Sequence, residues 1–249
     1  MTAALGPGRT VLVTGASGGL GPAVVEAFLA GGWRVVAASR SGRAERRDGL
    51  LTVAADLGDE AGVAAAVEAA AADPAAPLRA LANLVGGYAA GTRLHETPVA
   101  TLEAQLALNL RPTWLATRAV LPHLVAAGGG SIVNLSSVIG MVGGDEDFAT
   151  HAYAASKGGV IALTRGIAVY YAPRGVRCNV ICPGVIDTPM AFRSVGDPRI
   201  RARLHELQPL TGEPGLPDDV AGAVLYLAGP ASRLVTGVVL PVDGGWTAK

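Results

Sequence analysis

The sequence predicts a doubly wound α/β fold, in which a parallel sheet lies between two layers of helices. Short runs rich in Val, Leu and Ile alternate along the chain with helix-length stretches rich in Ala and Leu. A glycine-rich turn joins the first of these runs to the first helical stretch. No linker or change of composition interrupts the alternation, so residues 1–249 are expected to form one three-layer α/β/α domain.

Each predicted strand is a short apolar run bounded by Gly, Pro or polar residues. The runs are too apolar to have one solvent-facing side, which is typical of strands buried on both faces. In chain order they are RTVLVTG (9–15), WRVVAASR (33–40), LLTVAADL (50–57), LRALANLVG (78–86), GGSIVNLSS (129–137), VRCNVICPG (176–184) and GVVLPVDGG (237–245).

The predicted helices fill the intervals between these strands. The first is closed by Gly31 and Gly32, and the second ends before Pro74. In chain order the helices cover residues 22–32, 59–72, 99–125, 153–172 and 218–229.

Residues 189–217 form the least regular part of the sequence. They are rich in Pro, Gly and charged residues, and they follow the end of a predicted strand. Ligands of such sheets bind beyond the carboxyl ends of the strands, so this segment is expected to be a lid over a substrate site. An ordinary surface excursion is the alternative.

Composition excludes several classes of function. Charged residues make up 16% of the chain, with 20 acidic and 20 basic residues, which does not indicate nucleic-acid or anionic-membrane binding. We see no signal peptide and no run of about 18 apolar residues. Cys178 and Cys182 are expected to be buried thiols rather than metal ligands, in a cytoplasmic protein.

The glycine turn is the first functional signal. Gly15, Gly19 and Gly21 lie directly between the first predicted strand and helix. Glycines permit a tight turn and a close backbone approach, and the helix N-terminus offers N–H groups to a pyrophosphate. This position is typical of a Rossmann-type dinucleotide-binding domain. A tight turn without a ligand is the alternative.

The turn also carries a family resemblance. Thr14-Gly15-x3-Gly19-x-Gly21 resembles the TGxxxGxG motif of classical short-chain dehydrogenases/reductases. Further matches in order along the chain are Asn83-Leu-Val-Gly86 for NNAG, the serine strand 132–137, Tyr153 and Lys157 for YxxxK, residues 183–188 for PGxxxT, and the last strand. The resemblance covers about residues 8 to 246.

Tyr153 and Lys157 can be assessed independently of the family. They are four residues apart and therefore share a face of the predicted helix. A free tyrosine titrates near ~10, so ionising it at neutral pH costs roughly 4 kcal/mol. An ammonium about 4 Å away could contribute roughly that much. We therefore expect Lys157 to lower the pKa of Tyr153 enough for acid–base chemistry.

The resemblance assigns four catalytic residues. Tyr153 would exchange a proton with the substrate oxygen, and Lys157 would also hold the nicotinamide ribose. Ser137 would hydrogen-bond the substrate oxygen; it is preferred to Ser136 because Ser137-Val-Ile-Gly140 fits the family's serine motif. Asn109 would position a water that relays protons to Lys157, although a local helix-breaking role is an alternative.

The resemblance also implies a nicotinamide cofactor. Its expected contacts are Gly15, Ser17, Gly19, Leu20, Gly21, Arg40, Asp56, Leu57, Asn83, Gly86, Tyr153, Lys157, Pro183, Gly184, Ile186 and Thr188. Ser39 and Arg40 stand where NAD-binding proteins carry an acid, which favours NADP. Gly18 stands where many NADP-binding members carry a basic residue, so NAD is an alternative. Asp56 would meet the adenine, cap a helix, or do both.

Two features depart from the family pattern. Leu84 replaces the second asparagine of NNAG, and Ser137 lies 16 positions before Tyr153, about three more than the family pattern. The extra residues fall within 140–151. There Asp145, Glu146 and Asp147 are expected to form a solvated acidic loop, with contact to a polar or basic substrate as the alternative. His151 is expected to be a surface or packed histidine.

The leading hypothesis is an NADP(H)-dependent oxidoreductase that interconverts a ketone or aldehyde and an alcohol. The alternatives are an NAD(H)-dependent alcohol dehydrogenase, a dinucleotide-binding regulator without turnover, and a sugar-nucleotide epimerase. The resemblance further implies a homotetramer or homodimer, with helices 98–127 and 153–172 as candidate contact surfaces. Five residues are candidates for the substrate pocket or for core packing: Tyr88, Met141, Phe148, Met190 and Phe192.

Overall fold

The computed structural model describes residues 8–42, 46–88, 93–148, 150–191 and 196–248, with the side chain of Arg46 excepted. Its strands are short segments that lie inside the predicted runs, plus one further two-residue strand, β3. They are β1 (Thr10–Thr14), β2 (Arg34–Ser39), β3 (Arg46–Arg47), β4 (Leu50–Ala54), β5 (Leu78–Asn83), β6 (Gly130–Leu135), β7 (Val176–Pro183) and β8 (Val239–Val242).

These strands form one sheet in the order β3-β4-β2-β1-β5-β6-β7-β8. All neighbouring pairs are parallel except β3 and β4, which are antiparallel. The doubly wound fold class is therefore confirmed. The strand order reverses between β1 and β5, so the carboxyl ends of these strands border the crevice in which such sheets bind ligands.

The helices of the described residues lie on both faces of this sheet. They are α1 (Gly21–Ala30), α2 (Glu60–Ala71), α3 (Val99–Gln105), α4 (Arg111–Ala126), α5 (His151–Tyr171), α6 (Pro198–Leu207) and α7 (Pro217–Ala228). None of these helices combines the length and the apolar character needed to cross a membrane.

Alternation along the strands divides the core into two layers. Leu12, Leu81 and Ile132 face the layer that contains α2, α4 and α5. Their neighbours Val11 and Val133 point the opposite way, into the layer that contains α1 and α7. Because successive strand residues point to opposite faces, one apolar run supplies both cores.

Two helix predictions need correction. The stretch 99–125 is not one α-helix, because a π-helical turn at Leu106–Leu110 separates α3 from α4. Residues 189–217 are not wholly irregular, because they contain α6, whose Ile200 and Leu204 are buried. Asp197 caps α6 through its side chain. An aspartate before a proline is a helix-start signal, so this helix was readable from the sequence.

Candidate functional site

One cavity of about 1640 Å³ opens along the carboxyl edge of the sheet. Single ligand pockets are commonly ~300–1000 Å³, so this space can hold a dinucleotide together with a second molecule. All of the predicted cofactor contacts except Asn83 line it: Gly15, Ser17, Gly19, Leu20, Gly21, Arg40, Asp56, Leu57, Gly86, Tyr153, Lys157, Pro183, Gly184, Ile186 and Thr188.

The glycine turn is built for close approach. Gly15 has a φ of +70°, and a Cβ there would lie 2.8 Å from Val85 N. A Cβ on Gly19 would lie 2.6 Å from Thr188 Cβ. Helix α1 has no side-chain cap and no acid in its first turn, so its N-terminal N–H groups are available to an anion. The turn therefore fits a dinucleotide pyrophosphate.

Polar side chains surround the cavity beyond the end of β2. Ser39, Arg40 and Ser41 line it, and Ser41 Oγ donates to Ser17 Oγ at 3.0 Å. Asp56 also lines it, and its Oδ1 accepts from Gly58 N at 2.9 Å. Asp56 does not cap α2, because Asp59 accepts from Ala61 N and Gly62 N.

Asn83 lies behind the cavity rather than in its wall, which corrects its predicted place among the cofactor contacts. Its Nδ2 donates to Thr117 Oγ1 at 3.1 Å and to Asn134 Oδ1 at 2.9 Å, while its Oδ1 accepts from Thr14 Oγ1 at 3.3 Å. Asn134 Nδ2 donates onward to Thr164 Oγ1. The side chain of Asn83 is thus fully engaged in joining β1, β6 and the helices behind them.

The two serines after β6 have different surroundings. Ser137 lines the cavity and hydrogen-bonds the Tyr153 hydroxyl, and its Oγ accepts from Ile139 N at 3.3 Å. Ser136 is buried, and its Oγ donates to Lys157 O at 2.8 Å. Ser137 therefore contacts the reacting group, and Ser136 ties α5 to the end of β6.

Burial dominates the acid–base character of Tyr153. It raises the pKa of the phenol to about 12, against a smaller opposing effect of the Ser137 hydrogen bond. The expectation that Lys157 lowers this pKa is therefore wrong for this structure. The Lys157 ammonium lies 5.8 Å from the Tyr153 ring centroid and donates to Leu135 O at 3.0 Å. Burial also lowers the pKa of Lys157 to about 8.

Asn109 lies on the π-helical turn, completely buried and next to the cavity wall. Its Nδ2 donates to Gln105 O at 3.1 Å, which is the local backbone bond considered as an alternative. Its Oδ1 accepts from Gly87 N at 3.0 Å. The structure therefore shows the local bond, and it places Asn109 beside the loop that faces Lys157.

The segment after β7 depends on a residue that the sequence analysis missed. Gln208, at the end of α6, accepts from Val185 N and donates to Val185 O at 3.3 Å and Glu213 O at 3.0 Å. It is buried between Gly184 and Gly244. A lone glutamine in a polar segment carries no sequence signal for such a role.

The acidic residues of the 140–151 stretch are not a free solvated loop, which corrects that expectation. Asp145 and Asp147 both form ion pairs with Arg203 on α6. Both carboxylates accept hydrogen bonds from its guanidinium, which lowers the pKa of Asp145. The inserted loop and α6 are therefore joined across the mouth of the cavity.

Aromatic residues line the part of the cavity near Tyr153. Tyr88 packs edge-on against Tyr153 with ring centroids 5.8 Å apart, and Phe148 packs against Trp246 at 4.9 Å. Met190 also lines the cavity, whereas Met141 does not. Phe192 lies outside the described residues. His151 is exposed at the start of α5.

Comparison with known proteins places these features in context. The family model described as enoyl-(acyl carrier protein) reductase matches residues 15–247. The chain is 39% identical to 2-(R)-hydroxypropyl-CoM dehydrogenase of Xanthobacter autotrophicus, over 96% of this chain and 99% of that protein. It is 38% identical to cis-4-hydroxycyclohexanecarboxylate dehydrogenase of Sinomonas cyclohexanicum, over 96% and 97% of the two chains.

The fold is similarly matched among solved structures. The structure of ElxO with NADP bound superposes with a TM-score of 0.87 and 27% sequence identity, covering 97% of this chain and 100% of that one. Levodione reductase superposes with a TM-score of 0.86 at 30% identity, covering 96% and 98% of the two chains.

Proposed function

Because the chain belongs to the short-chain dehydrogenase/reductase family of NAD(P)-dependent oxidoreductases, we propose that it interconverts a ketone or aldehyde and the corresponding alcohol, with NADP(H) as preferred cofactor. One observation carries the proposal. The buried hydroxyl of Tyr153, hydrogen-bonded to Ser137, lies in the same cavity as the glycine turn.

The side chains suit proton transfer to a carbonyl oxygen. Tyr153 is protonated at neutral pH, since burial raises its pKa to about 12, so its hydroxyl can donate to that oxygen. Ser137 Oγ can donate a second hydrogen bond and stabilise the developing charge. The nicotinamide, when bound, supplies or accepts the hydride. Lys157 and Asn109 are proposed to return a proton to Tyr153, and alcohol oxidation follows the same path in reverse.

The preference for NADP(H) rests on the polar group after β2. Arg40 is exposed at the cavity with Ser17 and Ser41, and a guanidinium pairs well with a phosphate monoester. The similar protein ElxO is described with NADP bound. Gly18 lines the same region and offers no side chain, which favours NAD(H) as the second candidate.

Three coarser features complete the proposal. The whole chain would act as one domain, with residues 189–217 as the lid over the substrate. Cys178 and Cys182 are buried free thiols, the state expected in a reducing compartment such as the cytoplasm. Helices α4 and α5 would join copies of the chain into a dimer or tetramer.

Oxidation of NADPH with a panel of ketones and aldehydes tests the activity. We expect Tyr153→Phe to lower kcat by at least about a hundredfold, because the donor hydroxyl is lost while the ring still packs. Equal turnover by this variant would contradict the mechanism. Fluorescence titration of NADPH against NADH tests the cofactor, and tighter binding of NADH would contradict the role given to Arg40.

A further inference from the structure

The side-chain amide of Asn109 is held at three points. Its Nδ2 donates to Gln105 O at 3.1 Å and to Gln105 Oε1 at 3.3 Å. Its Oδ1 accepts from Gly87 N at 3.0 Å. Two acceptors on one side and an N–H donor on the other permit a single orientation of the amide.

This orientation determines which atom Asn109 presents to Lys157. A Cβ placed on Gly86 would lie 2.9 Å from Asn109 Oδ1 and 3.0 Å from Lys157 Nζ, so the two atoms flank the same small volume. An amide turned the other way would direct an N–H group toward the ammonium and toward Gly87 N. The hydrogen bonds to Gln105 therefore keep an acceptor beside a cation.

Gln105 is an unexpected residue in this location. It is 1% exposed, and its Nε2 has no hydrogen-bond partner among the residues that the structure describes. Burying an unpaired amide donor is unfavourable, and leucine or methionine would fill the space without that cost. What the amide provides is Oε1, the acceptor for Asn109.

We propose that Gln105 is a positioning residue for the reaction: it orients the Asn109 amide so that Oδ1 faces Lys157 and supports proton return to Tyr153. This inference rests on the proposed function for its consequence in turnover, but its structural part does not. It assigns a role to a residue that neither touches the cavity nor belongs to the motifs in the sequence.

Gln105→Leu removes the acceptor with little change of volume. We expect kcat for alcohol oxidation to fall about tenfold, which corresponds to the loss of one hydrogen bond. We also expect the limb on which kcat rises with pH to move to higher pH, because the ammonium that assists Tyr153 loses its neighbour. Gln105→Glu, whose protonated carboxyl retains an acceptor oxygen, should restore kcat to within about threefold of wild type.

Thr113→Val is the matched control. Thr113 is buried on the same turn, and its Oγ1 donates to Asn109 O at 3.0 Å, so this variant loses a hydrogen bond without affecting the Asn109 side chain. It should lower the melting temperature and leave the pH profile in place. An unchanged pH profile in Gln105→Leu, or an equal shift in Thr113→Val, would overturn the inference.

A second measurement needs neither cofactor nor turnover. The side-chain amide protons of Asn109 should exchange with solvent at least about tenfold faster in Gln105→Leu than in wild type, as followed by NMR. Inactive wild-type protein would contradict the proposed function alone. Equal exchange in Gln105→Leu and wild type would contradict the positioning role, whatever the activity.

Discussion

Burial acts in opposite directions on the two titratable side chains that α5 brings to the cavity. It raises the pKa of Tyr153 to about 12 and lowers that of Lys157 to about 8, and both shifts favour the neutral form. Without further charge in the site, the phenol is therefore a proton donor. A sequence motif identifies the pair but contains no information on desolvation, so the direction of the tyrosine shift had to come from the structure.

Lys157→Met tests the lysine shift through stability. The folded pKa of Lys157 is about 8 against 10.5 for a free lysine, so between these values the unfolded chain binds more protons. Stability of the wild type therefore rises with pH across this window. We expect its unfolding free energy, relative to Lys157→Met, to increase by about 3 kcal/mol from pH 7.5 to pH 10.5. Urea unfolding at several pH values measures this, and a flat difference would contradict it.

Ser136→Ala and Ser137→Ala should separate stability from turnover. Ser136→Ala leaves Lys157 O without its buried donor and should cost about 1–3 kcal/mol of stability. Ser137→Ala should instead lower kcat by about a hundredfold with a small change in stability, because Ser137 hydrogen-bonds the phenol in the cavity. Thermal unfolding and steady-state kinetics of both variants provide the comparison, and the reverse pattern would exchange their roles.

Among the elements, α6 and the inserted loop form the least predictable part of the site. The loop reads as a solvated acidic segment because its ion-pair partner, Arg203, is more than fifty residues away in sequence. The strand and helix pattern elsewhere was readable, since apolar periodicity records burial directly. The π-helical turn was not, because it depends on how α3 and α4 pack rather than on a local residue preference.

Arg203→Met tests the link between these two elements. We expect a severalfold higher KM for the carbonyl substrate, because α6 loses its attachment to Asp145 and Asp147, with NADPH affinity unchanged. Arg201→Met is the matched control, since Arg201 lies on the same helix but pairs with Glu213 at 3.5 Å. If the two variants behave alike in steady-state kinetics, the link has no bearing on the substrate.

At the scale of the whole molecule, large apolar side chains remain exposed on α4 and α5. Trp114 is 54% exposed, Val169 79% and Tyr170 64%. Exposed apolar groups of this size on two neighbouring long helices are typical of contact surfaces between subunits. The sequence resemblance pointed to these helices, but only the structure identifies the residues that would be covered.

Val169→Glu with Tyr170→Glu should therefore dissociate the assembly. Charges at these positions would be buried without partners in an interface, so we expect monomers where the wild type forms dimers or tetramers. Light scattering coupled to gel filtration measures the mass of each. Leu234→Glu, at an 89% exposed residue outside both helices, is the control. A wild-type protein that is already monomeric would contradict the proposed assembly.

The contact between the glycine turn and the segment after β7 has a consequence for changing the nucleotide preference. A methyl group on Gly19 would overlap Thr188, so the part of the wall that meets the pyrophosphate and the part assigned to the nicotinamide touch each other. Their adaptation is therefore mutual. Directed evolution of this protein toward a different dinucleotide should recover paired replacements at these two positions, and a library that randomises only one of them would explore mainly misfolded or unbound variants.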